Sequence, residues 1–167
     1  MSVAVPRAIA LNLGVVSAGA LVSGLRNDAR LNTVSGDIIV DTLIGDLTVN
    51  SVSGDVQVRG LTGSITANSV SGDVAVTGTV RRATVDIVSG STLVDAAGDV
   101  NTINVNSVSG GTTVRLDESL AANYVIRSLS GRLLIDGVER STSGPSNYTG
   151  TTGELAGRFV DLRANSV

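Results

Sequence analysis

Cysteine and histidine are both missing from the 167 residues. Without cysteine there are no disulfides, iron–sulfur clusters or thiolate zinc sites, and the sequence says nothing of redox compartment. Without histidine the commonest general base and the commonest transition-metal ligand are gone, and the usual Ser-His-Asp triad with them. Lysine is absent as well, all 12 basic residues being arginine, a bias that fits a GC-rich coding genome. Tryptophan is absent and aromatics make up only 2% of the chain, so any core must be thin and aliphatic. Prolines are limited to Pro6 and Pro145, near the ends of the repetitive region. With 16% charged residues and a net charge of −3, neither a nucleic-acid surface nor a polybasic membrane patch is indicated. No apolar run approaches the roughly 20 residues of a membrane span.

What the chain does have is a 42% apolar fraction of mostly Val, Leu, Ile and Ala, and 20 glycines that punctuate a repeat. Val-Ser-Gly occurs at Val34-Ser35-Gly36, Val52-Ser53-Gly54, Val70-Ser71-Gly72 and Val88-Ser89-Gly90, each 18 residues after the last. It returns at Val108-Ser109-Gly110 and as Leu129-Ser130-Gly131, after gaps of 20 and 21. The corner glycines are therefore Gly36, Gly54, Gly72, Gly90, Gly110 and Gly131. A weaker repeat of nine lies inside, as in Gly36-Asp37-Ile38-Ile39-Val40, Gly45-Asp46-Leu47-Thr48-Val49 and Gly54-Asp55-Val56-Gln57-Val58.

Counting from each Gly as zero, apolar residues fall at +2, +4 and +7. The first two alternate as in a strand. The odd step to +7 points the wrong way unless the chain bends near +5 and +6, which predicts a coil that turns repeatedly, with Leu43 and Val52 alike facing inward. The fold class expected is all-β, a single-stranded parallel β-solenoid of about 18 residues per coil, each coil stacked on the next. An antiparallel hairpin meander is the alternative, since Gly-Asp also marks hairpin turns. One coil buries too few side chains to stand alone, so stability belongs to the stack.

Residues 1–167 read as one solenoid domain. Met1 to Val22 has the outline of a secretory signal, but Leu11, Leu13 and Val16, then Ala20, Val22 and Leu25, keep the register of the later repeats, and no convincing signal emerges. The register wavers where Arg81-Arg82 replace a Gly-Asp corner and recovers at Gly98-Asp99-Val100. Beyond Gly110, Thr112 to Leu116 reads as a strand, Asp117 to Asn123 as a polar loop and Tyr124 to Leu129 as a strand. Residues 137–154, rich in Ser, Thr and Gly, read as a surface loop excursion. Val160, Leu162 and Ala164 resume strand spacing, and Asn165-Ser166-Val167 ends the chain like a fragment cut inside one more copy.

Three groups of residues are candidates for chemistry. Asp37, Asp55 and Asp73 should align on one corner, with Asp46 and Asp99 marking the other; stacked carboxylates could bridge a cation such as Ca²⁺, or each could accept from backbone N–H groups of its own turn. The second reading is stronger, because Ser91, Gly111 and Arg132 break the row. Asn32, Asn50, Asn68 and Asn106, with Asp86 and Arg127 in equivalent places, should form a structural ladder of stacked side chains. Asp117 and Glu118 are the one adjacent acidic pair, and a solvated loop tip suits them better than glycosidase chemistry. Asn147-Tyr148-Thr149 matches a glycosylation acceptor formally, without any sign of a secretory route.

The Ser-Val-Ser-Gly-Asp-Val words, two Gly-Asp corners to a coil, the lengthened Leu129-Ser130-Gly131 repeat and the glycine-rich stretch before Asn165-Ser166-Val167 resemble a bacterial β-strand-repeat family of unknown function. That family is described as toast-rack-like and often carries an adhesin label. The resemblance implies a parallel β-helical domain without known catalytic residues, found in bacterial envelope-associated and cytoplasmic proteins. It raises the expectation of binding only modestly, because the label is itself a fold analogy.

The function expected is therefore a non-enzymatic β-solenoid module that serves as structure or interaction surface, with no cofactor, no nucleic-acid partner and an unidentified protein or glycan partner. The rival is a self-assembling scaffold resembling bactofilins, stacking end to end through open coils. Carbohydrate processing on a β-helix has no residues to support it.

Overall fold

The computed structural model describes residues 8–98, 100–116, 121–135, 138–152 and 159–166. Aliphatic residues at period two make strands, and glycine corners every nine residues decide which strand edges meet. Strands β1 (Leu11–Ser17), β2 (Ala20–Leu25), β3 (Ala29–Ser35), β4 (Ile38–Ile44) and β5 (Leu47–Ser53) alternate between two faces. β6 (Val56–Ser71) and β7 (Val74–Ser89) each run through a corner and serve both faces. β8 (Thr92–Ala96), β9 (Thr102–Ser109) and β10 (Gly111–Leu116) alternate again, followed by β11 (Ala121–Ile135), β12 (Val138–Thr152) and β13 (Phe159–Ser166).

On the first face the parallel order is β1, β3, β5, the second half of β6, the second half of β7, then β9. On the second it is β2, β4, the first halves of β6 and β7, then β8, β10 and the end of β11. Through the first coils partners lie 18 residues apart, as in Asn32↔Asn50 and Asn50↔Asn68, and the offset widens to 20 from β7 to β9 and from β8 to β10. A hairpin meander would pair neighbouring strands antiparallel, so the expected parallel solenoid is what the chain forms. Hydrogen bonds carry on through the corners, with Gly36 N donating to Ser53 O at 3.1 Å and Ile38 N to Asp55 O at 2.8 Å. The corner backbone is thus paired from rung to rung. Among the described residues no helix is long and apolar enough to cross a membrane.

The interior is a single aliphatic column in which Leu31, Leu43, Leu47, Leu61, Ile65 and Ile103 are among the largest fully buried side chains. The two halves of each coil reach it differently. In β4 the buried residues are Ile38, Val40 and Leu43, at +2, +4 and +7. In β5 they are Leu47, Val49 and Ser51, at +2, +4 and +6, and Val52 is exposed. The expectation that Val52 and its equivalents face inward is corrected here. The bend that brings +7 inside needs a left-handed residue at +6, supplied by Gly24 (φ 67°), Thr42 (φ 60°) and Gly60 (φ 64°). In the other half +6 is Thr33, Ser51, Ser69 or Ile87, the strand stays straight, and this residue itself points inward.

Thr42 is β-branched and left-handed, a combination that costs roughly 1–2 kcal/mol. Thr42→Gly gives the position the residue its neighbours at 24 and 60 already have. It should raise stability by about 1 kcal/mol, after the backbone entropy of glycine is allowed for, and urea unfolding midpoints check it.

At Arg81-Arg82 the stack keeps its period by exchanging irregularities. Arg59 pairs Thr77 but Leu61 pairs Gly78, and Gly63 pairs Val80 but Ser64 pairs Arg82. Gly60 is thus the extra residue in β6 and Arg81 the extra residue in β7, and fully buried Val80 fills the interior there.

The C-terminal rungs differ from expectation in two ways. β13 lies between β9 and β11 on the first face, with Asn106↔Asn165 and Asn165↔Arg127, so the last strand fills a rung between earlier ones. The stretch read as an irregular loop excursion contains β12, which pairs antiparallel along β11 from Ala122↔Thr152 to Ile135↔Val138. Its Thr, Val and Tyr residues favour strand, and β11 offers it a free edge that its Ser and Gly content does not prevent it from pairing. Gly131 pairs Thr142 within this ladder.

Candidate interaction groove

Two rows of carboxylates mark the corners, and each carboxylate holds the next coil. Asp37 Oδ1 accepts from Asp55 N at 3.0 Å, Asp55 Oδ1 from Asp73 N at 2.9 Å, and Asp73 Oδ1 from Ser91 N at 2.7 Å. On the other corner Asp28 Oδ1 accepts from Asp46 N at 2.9 Å and Asp46 Oδ1 from Ser64 N at 3.2 Å. The acceptor role expected of these aspartates is what they perform, but toward the following coil and not within their own turn. Among the described residues no group of three or more acidic, cysteine or histidine side chains is arranged to hold a metal ion. Asp99, Asp117 and Glu118 lie outside the described residues.

The amide row is a hydrogen-bonded ladder on the outer side of the first face. Asn50 Nδ2 donates to Asn32 Oδ1 at 2.8 Å, Asn68 Nδ2 to Asn50 Oδ1 at 2.9 Å, and Asn106 Nδ2 to Asp86 Oδ1 at 2.6 Å. These side chains are half-buried. Replacing Asn50 by Ala strands the Asn32 carbonyl and the Asn68 amide group at once. The expected loss is about 1–2 kcal/mol, read from thermal or urea unfolding.

Two residues along each strand from the amides, on the same outward side, stands a row of valines that the repeat places 18 residues apart. Their exposure runs from 71% at Val16 through Val34, Val52, Val70 and Val88 to 45% at Val108. Amides and valines together border an open groove of about 830 Å³ that follows the solenoid axis from Gly14 to Val88. Beneath it the hydroxyls of Thr33, Ser51 and Ser69 are buried without hydrogen-bond partners. Asn50 and Asn68 each give one N–H to the rung before, and a primary amide carries a second. The groove therefore offers polar donors and acceptors on one wall and methyl groups on the other.

Asn32, Asn50, Asn68 and Asp86, four of the places assigned to one ladder from the spacing, stand on the same wall of the groove. The valine ridge was missed. Its signal was available in the alternation Gly or Thr at +6 in one half of the coil and Ser or Thr at +6 in the other, since only the first half contains the glycines that bend a strand.

No curated protein and no solved structure matches the chain. A family model described as Toastrack DUF4097 matches residues 27–166. Stacked parallel rungs, paired corner rows and a match over most of its length say together that the chain belongs to this Toastrack family, whose function is unknown.

Proposed function

We propose that the protein is a non-enzymatic interaction module whose binding surface is the groove between the amide ladder and the valine ridge. The observation that carries this is the ridge itself. Leu21, Ile39 and Ile44 are exposed on the other half of the coil, but on this half a valine stays exposed on each of six rungs, in line along the axis, and a continuous exposed apolar stripe rimmed by polar groups marks interaction surfaces. The corner aspartates support a non-enzymatic reading, since their carboxylates are engaged with backbone N–H groups. An adhesin-like role is one form this module takes.

The test is a screen of glycans and surface proteins against the immobilised protein, repeated with Val52→Asp/Val70→Asp. Both side chains are half exposed, and binding is read on the variant once an unchanged circular dichroism spectrum shows that it is folded. A partner whose affinity falls at least tenfold in the variant supports the groove. A partner bound equally by both, or none at all, contradicts it and leaves a passive spacer.

A second reading, the end-to-end scaffold, is favoured by one feature: among the described residues β1 and β2 have strand partners on one side only. The reversed β12 lies along the last coil at the other end, so simple parallel continuation through both ends is disfavoured. Sedimentation at rising concentration distinguishes the two, a constant monomer counting against the scaffold.

A further inference from the structure

The amide ladder contains one fault. Its donors all point the same way, each Nδ2 giving to the rung before, at Asn50, Asn68 and Asn106. At rung 86 the side chain is a carboxylate, which accepts but has no N–H to give. Asn68 pairs with Asp86 across one parallel step, so two acceptors meet there without a proton between them. Asp86 is half-buried, is the charged residue among those lining the groove, and forms no ion pair with any described residue. Val70 and Val88 stand on the same two rungs.

We infer that the step between Asn68 and Asp86 recognises a primary ammonium on an aliphatic stem, brought by a lysine side chain of a partner protein. The inference rests on the groove being the interaction surface. Equivalent atoms on adjacent rungs are about 4.8 Å apart. A nitrogen about 2.8 Å from an acceptor on each rung sees them about 118° apart, an angle that two N–H bonds of an ammonium reach with a small departure from linearity. A guanidinium places its planar fork on both oxygens of a single carboxylate, and here one of the two, Asp86 Oδ1, already accepts from Asn106 Nδ2. Calcium needs about six to eight oxygen ligands, more than one carboxylate and one amide supply. The methylene stem of lysine packs on Val70 and Val88 while its head reaches the acceptors. A second copy of the chain has no lysine to offer, so the partner is a different protein, and the net charge of −3 favours a basic one.

Asp86→Asn tests this without risking the fold, because it supplies the missing N–H and completes the ladder. The protein is titrated with N-acetyl-lysine N-methylamide, the blocked arginine and norleucine analogues, and n-butylammonium, following the Asn68 side-chain amide and the Val70 and Val88 methyl groups by NMR. Blocked lysine is expected to shift these signals saturably, at least fivefold more tightly than blocked arginine and threefold more tightly than n-butylammonium. Norleucine should leave them unmoved. Asp86→Asn should abolish the response and raise the melting temperature. Equal binding of lysine and arginine, or persistence of the lysine response in Asp86→Asn, overturns the ammonium site, and equal binding of n-butylammonium overturns its assignment to a protein. If Val52→Asp/Val70→Asp loses a partner while blocked lysine leaves Asn68 unmoved, the groove stands and this assignment falls.

Discussion

Gly54→Ala should remove most of the protein's stability, whereas Gly60→Ala, six residues on, should cost only about 1 kcal/mol, the ordinary penalty for a side chain in the left-handed region. Gly54 has φ 119°, and a Cβ there would lie 2.5 Å from Gly36 O and 2.8 Å from Gly36 C. Both are backbone atoms, so no side chain can rotate away. The rungs would have to separate, breaking bonds such as Gly36 N to Ser53 O and Gly54 N to Ser71 O on either side. Backbone strain of about 1–3 kcal/mol adds to lost hydrogen bonds of about 0.5–1.5 kcal/mol each, so strain and these two bonds alone come to about 2–6 kcal/mol. At Gly60 the nearest atoms to such a Cβ, all on Thr42, are 3.6 Å or farther, and Thr42 itself carries a side chain at the equivalent place. Chemical denaturation of the two variants reads the difference. Similar losses for both would mean that the corners do not stack at the distances described.

The second large effect separates two residues that the nine-residue repeat makes equivalent. Leu61 and Val52 both stand at +7 from a corner glycine, yet Leu61 is fully buried and Val52 is half exposed. Leu61→Ala is expected to cost about 2–5 kcal/mol, from lost transfer energy and the cavity left in a column with no room to collapse. Val52→Ala removes methyl groups that are half in water and should cost less than about 1 kcal/mol. Comparable losses at both sites would restore the symmetric coil that the spacing alone suggests.

The architecture was legible because stacking imposes its period on the sequence: equivalent residues contact one another, so Gly36, Gly54 and Gly72 must all be glycine for the same reason. The Asn32, Asn50 and Asn68 ladder was legible on the same grounds. What periodicity could not reveal is direction. Apolar character at +7 is shared by Leu43 and Val52, and only the left-handed residue at +6 decides which enters the core. Thr42 hid that rule, since nothing about threonine advertises a positive φ. The ends were the least legible. β12 is Ser- and Gly-rich and earns its strand from the free edge of β11, a long-range effect with no local signature. β13 repeats the coil spacing faithfully but occupies a rung out of sequence order, which spacing cannot express.

Cross-strand backbone contacts in a NOESY spectrum of the 16.8 kDa protein test the parallel stack most directly. Parallel rungs require contacts at a constant sequence difference of 18, including Thr48 with Thr66 and Thr66 with Thr84. Contacts in which the two residue numbers keep a constant sum across residues 29–89, as they do between β11 and β12, would mean hairpins in place of coils and would contradict the solenoid, its ladders and its groove together.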